Sequence, residues 1–196
     1  MIRHARRSIR LPGYDYTQSG VYFITIGTQN RECLFGDIKN GALQLNDEGI
    51  IVEEKWKETP ILRPNVVLDE FVVMPNHFHG IVVIAEPGRG VLQYAPTNEH
   101  EQPTRSNTTE LRSPSQTIGA IIRGFKSATA KRINELRGTP GAKIWQRNYY
   151  EHIIRNDDEL HFIREYTVNN PQLWALDSEN PVGANNHSPR PLAFRL

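Results

Sequence analysis

Hydrophobic and polar positions follow two rhythms along this chain. Residues 21–28 read Val-Tyr-Phe-Ile-Thr-Ile-Gly-Thr, a run of β-branched and aromatic side chains that predicts a strand. Two further apolar runs, 65–73 and 77–84, meet at Pro75-Asn76 and predict a hairpin. Between these strands, residues 46–59 carry a helical pattern. Asn46 is placed to cap it, Asp47 and Glu48 suit the positive first turn, and Pro60 and Pro64 end it. Gly36 to Gly41 read as turn material. Residues 86–113 break both rhythms with Pro, Gly, Asn, Thr, Glu and Gln, and predict a flexible insertion.

A second helix follows. Ser113-Pro114-Ser115-Gln116 has the form of a capping box with proline at the first helical position. Ile118, Ile121, Ile122 and Phe125 then fall on one face, and Gly138-Thr139-Pro140-Gly141 closes the helix. Residues 143–154 predict a strand or strand-and-turn. A last helix runs from about Asn156, a natural cap followed by three acids, to Asn170 before Pro171. Strand, helix, hairpin, helix, strand, helix is an α+β order: a ferredoxin-like antiparallel sheet with helices packed on it. The expectation is one domain over 1–176, carrying the insertion, and a loosely held tail over 177–196.

Composition narrows the class. Of 196 residues, 38% are hydrophobic and 23% charged, which suits a globular protein with a core of its own. A net charge of +1 gives no global polyanion signal. The first ten residues, however, hold Arg3, Arg6, Arg7 and Arg10 and no acid. Such an arm fits a phosphate backbone or a solvated tail. Cys33 alone cannot form an intrachain disulfide, which fits a reducing cytoplasm. No apolar run reaches bilayer length, and the arginines lead into no secretory-type apolar segment. A cytoplasmic protein with no membrane partner is expected.

The segment Met74-Pro75-Asn76-His77-Phe78-His79-Gly80 carries the candidate chemistry. In a strand, residues two apart share a face. His77 and His79 would therefore stand side by side, with Phe78 turned away. Two neutral imidazoles are half of a divalent-metal site. Three roles are open on this pattern. The pair could belong to a zinc hydrolase, with His152, His161 or an acid as third ligand. It could belong to a magnesium or manganese site acting on phosphate. It could be structural. Tyr166 and Asn170 lie one helical turn apart, as do Phe162 and Tyr166. The Asn170 amide oxygen could be a hard ligand and the Tyr166 hydroxyl a nucleophile. Equally, Tyr166 could pack in the core and Asn170 could end the helix.

The same residues carry a resemblance. His77-Phe78-His79 in its setting resembles the His-hydrophobic-His motif of the HUH single-tyrosine transposases. The segments 145–156 and 163–171, and the helix around Ile121 to Ser127, are similar to those of the REP-associated tyrosine transposases. The resemblance covers roughly residues 14 to 175. It implies that His77 and His79 bind Mg2+ or Mn2+, that Tyr166 is the nucleophile, and that Asn170 is a third ligand where relatives carry glutamine. It implies nicking and strand transfer on single-stranded DNA through a 5′-phosphotyrosine link, at sites flanked by hairpins. Single-stranded or hairpin DNA is the implied partner, a homodimer is an assembly that some relatives adopt, and the setting is the bacterial cytoplasm at the nucleoid. Arg123, Lys126, Lys131 and Arg132 are then the internal candidates for gripping DNA, with Arg3, Arg6 and Arg7 next. Tyr149 and Tyr150 read as packing or stacking residues, and His152 and His161 as core or surface histidines. The competing class is a hairpin DNA- or RNA-binding module that keeps the fold without the chemistry.

Overall fold

Side-chain parity sorts the strands of the central sheet into two cores. The computed structural model describes residues 19–85, 117–177 and 180. Arg3, Arg6, Arg7 and Arg10, the insertion 86–113, the segment 113–116 and most of the tail lie outside the described residues. Strands β1 (Gly20–Gly27), β4 (Val66–Met74), β5 (His77–Ile84) and β6 (Tyr150–Ile154) form one sheet in the order β4-β5-β1-β6. Every pairing is antiparallel. Counted within this sheet alone, the order is 4-1-3-2, which is the ferredoxin-like arrangement. A separate small hairpin joins β2 (Gly36–Lys39) to β3 (Ala42–Leu45).

Tyr22, Ile24, Ile26, Phe78 and Val82 point to one face. There they meet helices α1 (Asp47–Lys57) and α3 (Ile118–Arg137) through Trp56, Ile121, Ile122 and Phe125. Val21, Phe23, Ile81 and Val83 point to the other face and meet Leu160 and Ile163 of helix α4 (Asp157–Asn169). All eight residues of β5 are buried, because the strand is central and covered on both sides. Among the described residues, no helix is long and apolar enough to cross a membrane.

Most local signals act as expected. The Asn46 side chain accepts from the Gly49 N–H, and that of Asn156 accepts from the Glu159 N–H. Four details differ. Residues 36–45 form a hairpin rather than a simple turn. Its two connecting residues, Asn40 and Gly41, both have positive φ (55° and 75°), the backbone that a tight two-residue hairpin demands. Pro60 does not end helical structure. It sits in the first turn of a short helix α2 (Thr59–Leu62), where its missing N–H is not needed. Helix α3 is capped by Thr117, whose hydroxyl accepts from the Ala120 N–H. The strand expected over 143–154 is regular only in its last five residues, Tyr150–Ile154. Before it, Trp145 makes a single bridge to Thr28, and the Lys126 ammonium donates to the carbonyls of Gln146, Arg147 and Asn148.

The pairing of β4 with β5 slips between Leu68 and Phe71, a bulge that holds Asp69. Asp69 takes a two-pronged ion pair from Arg164 of α4, with Nε to Oδ1 at 2.8 Å. The forked geometry ties the helix to the sheet edge. Burial alone would raise the Asp69 pKa, but the hydrogen bond from Arg164, that from the Glu70 N–H and the Arg164 charge together outweigh it, and the carboxyl is held below its ordinary value.

Gly80 permits the closest approach in the sheet. A Cβ there would lie 2.8 Å from two ring atoms of Phe78 and 3.0 Å from the Trp56 ring. Gly80→Ala is expected to destabilise the fold by about 1–3 kcal/mol through overpacking, read as a lower urea midpoint at unchanged slope. A midpoint equal to wild type would mean that these rings shift freely.

Candidate metal and tyrosine site

Alternation along β5 sends Phe78 into the core under α1 and α3, and sends His77 and His79 under α4. The two imidazoles lie edge to face with ring centroids 4.5 Å apart. They are only 1% and 4% exposed, so neither can be treated as a surface histidine. Each ring is held at Nδ1. For His77 the partner is the Asn76 amide oxygen at 2.9 Å. For His79 it is the hydroxyl of Thr25, its cross-strand neighbour on β1, at 2.8 Å. The Phe23 ring stacks on His79 with centroids 5.3 Å apart. Burial lowers the His77 pKa to about 3. Burial, and then the adjacent His77, push that of His79 well below 6.5. Both are therefore neutral near pH 7, the form that can donate a lone pair to a cation.

Helix α4 covers this pair. Leu160, Ile163, Thr167 and Asn170 recur at helical spacing and are buried against the sheet. Tyr166 sits on the flank of that stripe. Its hydroxyl lies 3.5 Å from His79 Nε2, and its ring meets Phe23 and His79 with centroids 6.1 and 5.4 Å away. Phe162, one turn earlier, is exposed instead. Asn170 closes the helix in right-handed geometry. Its side chain is buried, and Oδ1 has no hydrogen-bond partner among the described residues. A buried amide oxygen left in that state is unfavourable unless something else engages it.

Asp177 was not foreseen as part of this group. The sequence assigns it to a loose tail, yet the structure brings it against His77. After Pro171 the chain makes a short 3-10 turn, Trp174–Leu176, and the Trp174 ring comes within 6.0 Å of the His77 ring centroid. This delivers Asp177 Oδ2 to 3.7 Å from His77 Nε2. One donor atom each from His77, His79 and Asp177 falls within 4.8 Å of the others. In the sequence the one hint is Trp174, a large apolar ring just past the last helix.

The donors fit a divalent cation. His77 Nε2 is buried with no hydrogen-bond partner among the described residues, and it faces a carboxylate. Imidazole, carboxylate and amide donors admit magnesium, manganese or zinc. The other candidates lie elsewhere. His152 is bonded to Glu159 at 2.6 Å, and His161 pairs with Glu165 on the exposed side of α4. Tyr149 donates to Glu151, and Tyr150 packs beside the α4 core. Arg123, Lys131 and Arg132 are exposed on α3, which covers the opposite face of the sheet from the histidines. Lys131 and Arg132 share Glu135 at 4.0 and 3.6 Å. Lys126 is spent on the three carbonyls described above, and its partial burial lowers its pKa.

Two outcomes follow from the buried pair. In the metal-free protein the unfolded chain protonates these histidines near pH 6.5, whereas folded His77 resists until about pH 3. The unfolded state therefore binds more protons in that window, and stability falls as pH drops through it. Urea midpoints between pH 7 and pH 4 should decline, and His77→Gln/His79→Gln should flatten the decline. Manganese at 100 times its dissociation constant should stabilise the wild type by about 2.7 kcal/mol and leave the double variant unmoved. Thermal melts with and without the ion test this; equal responses would remove the histidines from any metal site.

Comparison with known proteins adds a family. No family model matches the chain. Two solved structures are similar to it at low identity. One is a REP-associated tyrosine transposase bound to a REP hairpin (TM-score 0.49, 19% identity, 78% of this chain and 66% of that one). The other is a transposase candidate from Deinococcus radiodurans R1 (TM-score 0.44, 14% identity, 82% of this chain and 95% of that one). An uncharacterized protein of Haemophilus influenzae is 45% identical over 179 residues, spanning 89% of this chain and 92% of its own. On that identity and coverage, this chain belongs to the same family as the Haemophilus influenzae protein.

Proposed function

We propose that this protein nicks and rejoins single-stranded DNA at hairpin-flanked sites through a covalent bond to Tyr166. The observation that carries the reading is the meeting of the Tyr166 hydroxyl with the buried histidine pair, 3.5 Å from His79 Nε2. The order of the His-hydrophobic-His strand and the later tyrosine helix supports it. In this reading His77, His79 and Asp177 hold a divalent cation, Mg2+ or Mn2+, with Asn170 presenting its unsatisfied oxygen from the end of α4. When bound, such a cation neutralises charge on phosphate oxygens and favours a phenolate.

The chain's own residues account for the rest. Tyr166 Oη attacks phosphorus, and a phosphorus–oxygen bond to the 3′ side breaks. The phenol proton ends on the released 3′-hydroxyl, and the 5′ phosphate stays on Tyr166. Attack by that hydroxyl, or by another, on the phosphotyrosine reverses the step, so rejoining needs no outside energy. His79 is not the base that takes the phenol proton. Burial disfavours the protonated form of this imidazole, so it is a poor acceptor for the phenol proton. Its ring instead fixes where Tyr166 can lie. Arg164, two residues before the tyrosine, is committed to Asp69 and anchors the helix. Arg123, Lys131 and Arg132 would grip phosphates away from the reacting one, since α3 lies across the sheet.

The test is incubation of the protein with manganese and labelled single-stranded oligonucleotides containing hairpins. A denaturant-resistant protein–DNA adduct is expected from wild type and none from Tyr166→Phe, whose circular dichroism should be unchanged. An adduct that survives the substitution would exclude Tyr166 as nucleophile. Hairpin binding with no adduct under any condition would leave a binding module without chemistry.

A further inference from the structure

Asn76 occupies the turn between β4 and β5 and is only 1% exposed. Its backbone is fixed on both sides of the turn. The Thr28 N–H donates to the Asn76 carbonyl at 2.8 Å, and the Phe35 N–H donates to that of Pro75 at 3.0 Å. Its side chain has two differently constrained ends. Nδ2 donates to the Arg31 carbonyl at 3.2 Å. Oδ1 lies 2.9 Å from His77 Nδ1.

These contacts decide a proton position. A backbone carbonyl can only accept, so the amide end that faces Arg31 must be the NH2 group. The end that faces His77 is then the oxygen, which can only accept. His77 Nδ1 must supply the proton, and in a neutral imidazole the lone pair is then on Nε2. That atom faces Asp177 Oδ2 across 3.7 Å. Two electron-pair donors aimed at each other at this spacing suit a cation between them. Thr25 cannot play the same part for His79, because a hydroxyl both donates and accepts. It holds the ring without choosing the tautomer.

The anchor is itself specially built. Asn30 and Arg31 both have left-handed backbones, with φ of 58° and 59°. Consecutive left-handed residues other than glycine are rare, and such conformations gather where structure over-determines them. Here they place the Arg31 carbonyl on the Asn76 amide.

We infer that Asn76 is a positioning residue that locks His77 in the Nδ1–H tautomer and turns its Nε2 lone pair toward the cation. This rests on the metal reading above and adds to it which residue prepares the ligand. Metal-site histidines whose second nitrogen loses its partner typically lose 10–100-fold in metal affinity or activity.

The experiment has two arms. Long-range nitrogen–proton NMR correlation on metal-free wild type at neutral pH should show His77 protonated on Nδ1. A His77 protonated on Nε2 would overturn the inference, whatever any variant does. Calorimetric titration with manganese should then show Asn76→Ala weakened by about 10–100-fold. A folded Asn76→Ala with wild-type affinity would also overturn it. Wild-type protein that takes up no manganese is a separate result: it overturns the metal reading and, with it, this inference.

Discussion

The structure depends on the position of β5, paired on both edges and covered on both faces. A strand so placed has no solvent-facing side, so every residue must belong to one core or the other. Parity then does the sorting. Phe78 joins Trp56 and Phe125 beneath α1 and α3, while His77 and His79 are driven into the layer beneath α4. Polar rings can be kept there only if their nitrogens are engaged, because an unpaired buried polar group is expensive. Asn76 and Thr25 engage one nitrogen of each. The remaining nitrogens face Asp177 and Tyr166. The apparent conflict between a dry core and polar chemistry is thus resolved by hydrogen bonds that reach the rings from the β4–β5 turn and from β1.

Electrostatics divides the molecule in a related way. The α4 side gathers neutral imidazoles, a tyrosine, an amide and a carboxylate. The α3 side displays Arg123, Lys131 and Arg132. No single flat surface carries both groups. An extended polyanion that touched both would have to turn around an edge of the sheet. β6 and β4 are the two edges.

Much of this was legible in the sequence because it follows short-range rules. Period two placed the histidines together and Phe78 apart. Asn46 and Asn156 announced their helices by side-chain chemistry that acts within one turn. Tyr166 and Asn170 were put on one helix by a spacing of four. What was not legible depends on distant partners. The hairpin over 36–45 was signalled by Asn40-Gly41, but its strands are short and half-exposed, so alternation there is weak. Lys126 reads like any helix-surface cation, and only the path of residues 146–148 reveals that it serves the backbone. Asp177 lies six residues beyond the proline that follows the last helix, and polar residues come after it. Its place is set by Trp174 and by a histidine a hundred residues earlier, and neither pairing leaves a local trace.

The order of elements along the chain also governs when the donor group comes into being. All four strands of the sheet lie between Gly20 and Ile154, whereas α4 and Asp177 come after. A nascent chain therefore holds every strand before it holds the cover for one face. Until α4 arrives, Val21, Phe23, Ile81 and Val83 form a bare apolar surface with His77 and His79 beside it. Docking of the last helix hides that surface and brings Tyr166 and Asp177 up to the histidines in the same movement. Maturation of the fold and assembly of the donor group are thereby a single event, and a chain cut short after β6 would be marked by sticky surface as well as by missing chemistry.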